Sequence, residues 1–455
     1  MLLATGKSFG LSNGGKMKFK HLTLIILFSL AMTSVLSAQA TRQVGTIRGA
    51  VTDNTGAPVP GASVTAESPA LMGSATSITD TTGLYRLVNL PPGTYTVTAS
   101  LTGFKTVKQP GVIVQVGQTY TINLQTEASP LAEEITVTAA APMVDTQSNK
   151  ITYVTTTELL QDLPLNRTVT NLFNITAGSA GNIAAYSGSI HGANSGSTAY
   201  EIDGVNGESP TTGGFQLAPQ FESIEEIEIA TGGLPAQVGA SGGSYVSVVT
   251  KSGGNEFHGQ AQFYYTSQGL NQMLFTDEEL NSFKRTKPAF AKYDTDVSAS
   301  LGGPIMKDKL WFFGTLEYRP YEYTVTFSPV TIEGTTYEPY TNPTKTWNPF
   351  LKLTYQINKD LRLFVMYNGT YLNNLYDPNY YRTLDATTLS NQKRTGLTAE
   401  LSWTLGSNTY VSFRGGWNDF NWALTGQPDS LANIGKVDWY TGYNWNGKQY
   451  EQQWT

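Results

Sequence analysis

The chain has 455 residues, of which 14% are charged, 11% aromatic and none cysteine, with 45 Gly, 25 Tyr and a net charge of −6. Without Cys there is no disulfide framework, thiol catalysis, cysteine-bound zinc or lipid anchor on cysteine, and His21, His191 and His258 are too few for a His-rich metal site. The acidic balance offers no basic face to nucleic acid, and abundant Gly, Tyr and Thr with charge below the roughly 25% of ordinary globular proteins favour strands and turns over helices. The length suggests about two to four domains.

Met17-Lys18-Phe19-Lys20-His21 is a short basic segment, followed by an apolar run from Leu22 to Leu36 and then Ala38-Gln39-Ala40. This is the layout of a secretory signal peptide with its small-residue cleavage site. The run falls short of the about 20 apolar residues of a spanning helix. Cleavage after Ala40, an exported chain starting at Thr41 and an upstream start in residues 1–16 are expected. Gly6-Lys7-Ser8 imitates the tail of a phosphate loop but lacks its leading Gly.

Residues 44–126 alternate short β-runs with turn signals, the pattern of a small β-sandwich. Thr46 to Val51 reads as one strand, closed by a turn at Asn54-Thr55-Gly56, and Gly61 to Ala66 as another. A further turn at Thr82-Gly83 and the connection Pro91-Pro92-Gly93 lead to Thr94–Ala99, where Tyr95, Val97 and Ala99 share one face. Gly49, Asp53, Gly56-Ala57-Pro58-Val59, Gly61 to Val64, Thr79-Asp80, Gly83-Leu84-Tyr85 and Leu90 to Tyr95 together resemble the carboxypeptidase regulatory-like domain. Only that regulatory sandwich is present. A zinc peptidase needs His and Glu ligands, and the exported chain holds only His191 and His258. A spacer is favoured over a glycan- or peptide-binding role.

Residues 127–142 are rich in Ala, Glu, Thr and Pro and read as a linker. Within it Ile135, Thr136, Val137 and Thr138 favour an extended backbone ahead of Ala139, and no local segment is expected to pair with them. Such a segment suits strand addition to the open sheet edge of a partner. It resembles the TonB box of outer-membrane receptors, the handle gripped by the energy-transducing protein TonB.

Residues 143–254 are expected to hold a short helix over 157–163, ended by Pro164, then Gly- and Ser-rich loops and several strands. Tyr200 to Gly204 runs from strand into turn, and Ser244 to Thr250 is another strand. Ile224 to Ile229 alternates Ile with Glu apart from a doubled Glu, predicting one apolar and one wet side. In order and spacing these elements are similar to the plug of TonB-dependent receptors, an α+β domain. The matching positions include Leu163-Pro164 with Arg167, Ile202-Asp203-Gly204, the run containing Glu225, Thr231-Gly232-Gly233, and Gly242-Gly243 before Val246 to Thr250. The family usually has Ile-Arg-Gly where this chain has Ile190-His191-Gly192. Histidine as a residue type can hydrogen-bond and change charge near neutral pH, which makes His191 a candidate gating residue.

From residue 255 onward the periodicity changes. Leu351, Leu353, Tyr355 and Ile357 alternate with polar residues, as do Leu397, Ala399, Leu401, Trp403 and Leu405, and Tyr293, Thr295, Val297, Ala299 and Leu301. Strands of about ten residues, apolar on one face and polar on the other, are the signature of a transmembrane β-barrel. Trp311, Tyr318, Tyr355, Trp403 and Trp417 are candidates for its aromatic girdles. The competing reading, a soluble sandwich with its apolar face inward, sits badly with the export signal. About eight strands can be counted over 255–455, whereas plugged transporters use about 22. The barrel is therefore expected to be incomplete and the chain to be the N-terminal part of a longer protein.

The whole is identified by resemblance as an Oar-like TonB-dependent outer-membrane receptor with a carboxypeptidase regulatory-like front domain. The expected fold class is mainly β, with a sandwich, then an α+β plug, then an incomplete antiparallel barrel. The resemblance implies active uptake of a small molecule, oligosaccharide or peptide across a bacterial outer membrane, with the sandwich and coupling segment in the periplasm, TonB as partner, no cofactor and no enzymatic chemistry. The alternative is an adhesion or envelope-organising protein on the same architecture. Tyr376-Asp377-Pro378-Asn379-Tyr380-Tyr381 would suit stacking on sugar rings.

Overall fold

The computed structural model describes residues 44–71, 73–129, 134–136, 150–156, 176–180, 189–190, 197–208, 219–234, 242–270, 291–325, 329–332, 334–376, 387–405, 409–426 and 452–454, with isolated residues and pairs elsewhere. The signal segment, residues 137–139 and His191 lie outside the described residues, as does the helix expected over 157–163 apart from Leu159. No helix among the described residues is long and apolar enough to cross a membrane.

Eight strands form the sandwich: β1 (Gly45–Thr52), β2 (Ser63–Glu67), β3 (Ser74–Ile78), β4 (Leu84–Leu90), β5 (Gly93–Ser100), β6 (Thr106–Val114), β7 (Thr119–Thr121) and β8 (Leu124–Gln125). One sheet has the order β4-β1-β7, with β8 also on β1, and the other runs β3-β2-β5-β6. Their alternating inner residues, among them Ile47, Leu87 and Leu90 on one sheet and Val64, Tyr95 and Val97 on the other, make one core. Burial of these apolar faces is what holds a domain of this size together. Two identical Asp-x-Thr-Gly turns punctuate it. The Asp53 carboxylate accepts from Thr55 N (2.8 Å), Thr55 Oγ1 (2.6 Å) and Ala57 N (2.9 Å), and Asp80 repeats the pattern with Thr82 and Leu84. These donors favour the charged form and hold both carboxyls below the usual range, the Thr hydroxyl contributing most.

Gly49 is required by close passage of the chain rather than by its own turn. Ile122 N donates to Arg48 O at 2.7 Å, and the Tyr85 hydroxyl donates to Ile122 O at 2.7 Å. A Cβ on Gly49 would stand 1.7 Å from that same oxygen. Gly49→Ala is expected to destabilise the sandwich by about 1–3 kcal/mol, the usual cost of forced overpacking. Calorimetry would show a lowered sandwich transition; an unchanged melting temperature would contradict the reading.

Beyond the sandwich, β9 (Glu134–Thr136) pairs in parallel with β6, joining Thr106 to Glu134, Val107 to Ile135 and Lys108 to Thr136. This corrects the expectation that nothing local pairs with the Ile135 segment. β6 was an open edge within reach of the linker, and extended β-branched backbone satisfies such an edge.

The next sheet has the order β10-β15-β16-β13-β14. Its members are β10 (Ile151–Thr156), β13 (Thr198–Ile202), β14 (Val205–Asn206), β15 (Ile224–Gly232) and β16 (Ser244–Thr250), while β11 (Ser179–Ala180) and β12 (Ser189–Ile190) pair apart. The doubled Glu of the sequence is a β-bulge, because the β15–β16 register slips between Ile224 and Glu226 and leaves Glu225 as the extra residue. The slip keeps Ile224, Ile227 and Ile229 in one core with Tyr200, Phe221, Val246 and Val248. Here too the structure corrects the sequence, since Glu226 and Glu228 are each only 2% exposed rather than wet.

The third region is one antiparallel sheet of eight strands in near-sequential order. It comprises β17 (His258–Ser267), β18 (Ala291–Met306), β19 (Leu310–Val325), β22 (Tyr340–Asn358), β23 (Leu361–Tyr376), β24 (Thr388–Leu405), β25 (Thr409–Gly426) and β28 (Gln452–Trp454). Small hairpins interrupt it, β20 (Val330–Ile332) with β21 (Thr335–Tyr337) and β26 (Lys436–Val437) with β27 (Asn444–Trp445). Among the described residues β17 and β28 do not pair, so the barrel is open. Short connections at 307–309, 359–360 and 406–408 alternate with longer ones at 268–290, 326–339 and 377–387.

The direction of the alternation separates a membrane wall from a soluble sandwich. Val297, Leu301, Leu351, Leu353, Leu397, Trp403 and Trp417 are exposed, while the interleaved Asp296, Ser298, Lys352, Thr354, Thr398 and Glu400 are buried. Apolar residues face out and polar ones face in, as in a barrel bathed by lipid. Trp311 is an exception among the expected girdle residues. It is 1% exposed, and its indole N–H donates to Asn255 Oδ1 at 2.8 Å, so it locks the chain's entry into the wall.

Candidate functional site: the seam between central sheet and wall

The central sheet β10-β15-β16-β13-β14 meets the inner, polar face of the wall. An apolar patch comes first: Ile202 and Phe215 pack against Phe313, Phe350, Met366 and Phe364 of β19, β22 and β23. Around it sit charged groups whose burial demands partners.

Asp203 and Gly204 make the hairpin turn between β13 and β14, with φ of 44° and 74°. Positive φ at both central residues is the geometry that selects Asp-Gly in a two-residue hairpin. The turn aims the Asp203 carboxylate at Thr250, the last residue of β16, whose N–H donates to Oδ1 at 3.0 Å and whose hydroxyl donates to Oδ2. From the wall Lys352 Nζ donates to Asp203 Oδ2 (2.9 Å), Thr250 Oγ1 (2.9 Å) and Thr250 O (3.2 Å), lying 4.9 Å from the Phe364 ring centre. Beside it Arg414 Nη1 donates to Gly204 O at 3.3 Å and pairs with Glu400 at 2.6 Å. A Cβ on Gly204 would fall 1.7 Å from that Arg414 nitrogen and push the guanidinium aside, while the positive φ is what calls for Gly.

Arg167 makes a second tie. Its guanidinium pairs with Glu222 of the plug, donates to Tyr264 Oη (2.9 Å) and Gln262 Oε1 of β17, and lies 3.7 Å from Asp296 Oδ2 of β18. It also covers the Phe221 and Tyr264 rings at 4.9 and 4.4 Å. A planar fork with five donors can hold partners on two bodies at once while stacking on their rings.

Glu225 lies between the two ties. Burial pushes its carboxyl above the ordinary carboxylate range, and the charges of Lys251, Lys352 and His258 pull it back. The structure thus brings Arg167, Asp203, Gly204 and Glu225 to one seam. Ile135 and Thr136 lie elsewhere, on the sandwich edge. The sequence reading missed Lys352, Glu222, Asp296 and Arg414. The only signal for Lys352, Asp296 and Arg414 was a place on the polar face of a strand, which does not say which polar residue meets the central sheet, and Glu222 sits in the 3-10 turn just before β15.

The sandwich docks on the opposite region of the same sheet. Val116 N donates to Glu226 Oε1 at 3.0 Å, Gln118 Nε2 to Thr152 Oγ1 at 3.2 Å, and Lys150 pairs with Glu228. Burial raises the Glu226 carboxyl to about 8, only partly offset by the Val116 hydrogen bond. A raised folded-state value means that the folded protein holds a proton which the unfolded chain has lost. Stability should therefore fall as pH rises from about 4.5 to about 8, with no further loss from this group above that. Glu226→Gln is expected to flatten that slope while keeping an acceptor for Val116. Melting temperatures at pH 5 and pH 8 test this, and parallel curves for parent and variant would refute it.

Among the described residues no group of three or more His, Asp or Glu could hold a metal ion. The chain matches two domain families, the carboxypeptidase regulatory-like domain over residues 46–127 and the outer membrane beta barrel domain over residues 249–331. It is 28% identical over 376 residues to the TonB-dependent transporter Oar of Myxococcus xanthus, a match covering 76% of this chain and 35% of that protein. The chain thus spans about a third of the length of that curated relative. Among solved structures it is similar to the outer membrane transporter YddB of Escherichia coli (15% identity, TM-score 0.48, 60% of this chain and 39% of that one). The ferric enterobactin receptor PfeA of Pseudomonas aeruginosa gives 15% identity, a TM-score of 0.45 and coverage of 67% and 44%. The Myxococcus relative is a TonB-dependent transporter. With the two domain matches flanking the central sheet, this is an outer-membrane protein with a carboxypeptidase regulatory-like domain at its front and an outer membrane beta barrel domain behind it, and over most of its length it is similar to a TonB-dependent transporter.

Proposed function

We propose that the protein takes part in TonB-dependent transport of a small molecule, oligosaccharide or peptide across the outer membrane. The observation that carries the reading is the seam itself. A wall with apolar residues outside and polar residues inside is filled by a separate sheet, held by buried ion pairs through Lys352 and Arg167 rather than by a continuous apolar core. Such contacts hold firmly when complete and are lost together when one partner shifts, which suits a plug that must be remodelled. The short connections at 307–309, 359–360 and 406–408 mark the periplasmic end, and the long ones the outside. In this reading the sandwich and the coupling segment lie in the periplasm. Residues 135–139 serve as the coupling segment, and residues 143–254 as the plug domain.

The test is a photo-cross-linking residue placed at Thr136 in living cells. Adducts with TonB are expected, and they should fall when a protonophore collapses the proton-motive force. Absence of any adduct at Thr136 and neighbouring positions would favour the adhesion reading over transport.

A further inference from the structure

The sandwich has so far appeared as a spacer, yet it holds the segment assigned to coupling. We propose that it is a presenting scaffold: β6 takes one edge of residues 134–136, fixes them as an extended strand, and leaves the outer edge of that strand for a strand of TonB. This rests on the reading of residues 135–139 as the coupling segment.

The chain is guided onto β6 by contacts made before the segment begins. Thr126 Oγ1 donates to Lys105 O (2.6 Å), Lys105 N to Glu127 O (2.9 Å) and Ser129 N to Gly103 O (3.0 Å), and Lys105 and Glu127 form an ion pair at 3.1 Å. Only residues 130–133 separate this clamp from the parallel ladder at 134–136. So short a tether keeps the effective concentration of the segment at its dock high. The ladder also has a built-in end. Pro110 has no N–H to offer, Gly111 takes φ of 74°, and β6 slips register against β5 at this bulge. The pairing of β6 with β9 ends at Lys108 and Thr136, two residues before this bulge.

β9 stands last in the order β3-β2-β5-β6-β9, and no strand among the described residues covers its other side. A partner that binds by strand addition normally meets a floppy segment and must order it on binding. Here that ordering is made in advance by the sandwich. The scaffold is itself steadied, because the chain that leaves β6 at Val114 reaches Val116, whose N–H is held by Glu226 of the plug.

The protein has no native cysteine, so a register-specific disulfide tests the idea cleanly. Lys108→Cys with Thr136→Cys joins directly opposed positions, whereas Ile113→Cys with Thr136→Cys lies beyond the bulge and serves as control. Mild oxidation should cross-link the first pair and not the second. The oxidised protein should bind the purified periplasmic domain of TonB within about threefold of, or more tightly than, the same protein after reduction, since the segment is already ordered on β6. Binding about tenfold or more weaker in the oxidised form would overturn the scaffold and mean that the segment must leave β6. Failure of the 108–136 pair to cross-link, with TonB binding intact, would overturn it while sparing the coupling role. Cross-linking without TonB binding in either redox state or in the parent would instead remove the coupling role, and the scaffold with it.

Discussion

Lys352→Met is expected to loosen the plug while leaving the wall in place. The ammonium is the only cation within bonding distance of Asp203 among the described residues, and both side chains are 5% exposed. Met keeps the aliphatic stem beside Phe364 but leaves a buried carboxylate facing only the N–H and hydroxyl of Thr250. Removing one member of a buried pair costs about 3–5 kcal/mol, because the other charge stays desolvated and unpaired. The loss should appear as faster amide exchange in β13 and β16 and a lower denaturant midpoint for the plug. Asp203→Asn alone should also destabilise. The double variant should lose less than the sum of the two, since the orphan charge is gone. If Lys352→Met lowers neither exchange protection nor the midpoint, the pair does not latch the plug. Additive losses in the cycle would show that the two residues act independently.

The second large effect is expected at Val137. Proline there removes a backbone donor and fixes φ near −65°, both poorly tolerated in a strand ladder. Val137→Pro in the full-length protein should reach the outer membrane at parental levels, yet bind the TonB periplasmic domain about tenfold or more weakly, the scale of one or two lost ladder bonds. Val137→Thr keeps the donor and the extended preference and should behave as the parent. Cross-linking yield and binding affinity read the outcome. Equal TonB binding by the Pro variant would take the coupling role away from residues 135–139. Position 137 follows directly on the three pairs at 134–136, whose register the disulfide between positions 108 and 136 reports separately.

Much of the architecture was legible because it rests on period-two patterns that the chain itself carries. The runs at Thr46, Gly61 and Thr94 correspond to β1, β2 and β5, and the strands around Leu351 and Leu397 to β22 and β24. The doubled Glu225-Glu226 was visible as a break in alternation, though only pairing with β16 turned it into a bulge that aligns three Ile in one core. Asp203-Gly204 has the composition of a tight hairpin turn, and the turn is there. Arg167 could be singled out, but not its partners Glu222, Gln262, Tyr264 and Asp296, which come from separate parts of the chain.

The sequence alone therefore determined where strands run, which residues share a face, and that the front domain and the wall are different kinds of β-structure. Those are local properties of backbone and periodicity. Only the tertiary structure decided what each polar face meets. Glu226 and Glu228 looked wet because strand alternation reports sides, not neighbours, and the sandwich covers that side. Trp311 looked lipid-facing because an indole suits a membrane interface, but Asn255 claims its N–H from within. Lys352 reads as any inward polar residue until the fold brings Asp203 to it across 149 positions. Ile135 looked unpaired because its partner strand, β6, is a neighbour in sequence whose free edge only the folded sandwich reveals. Long-range pairing is set by packing whole sheets against one another, and no window of sequence holds both members.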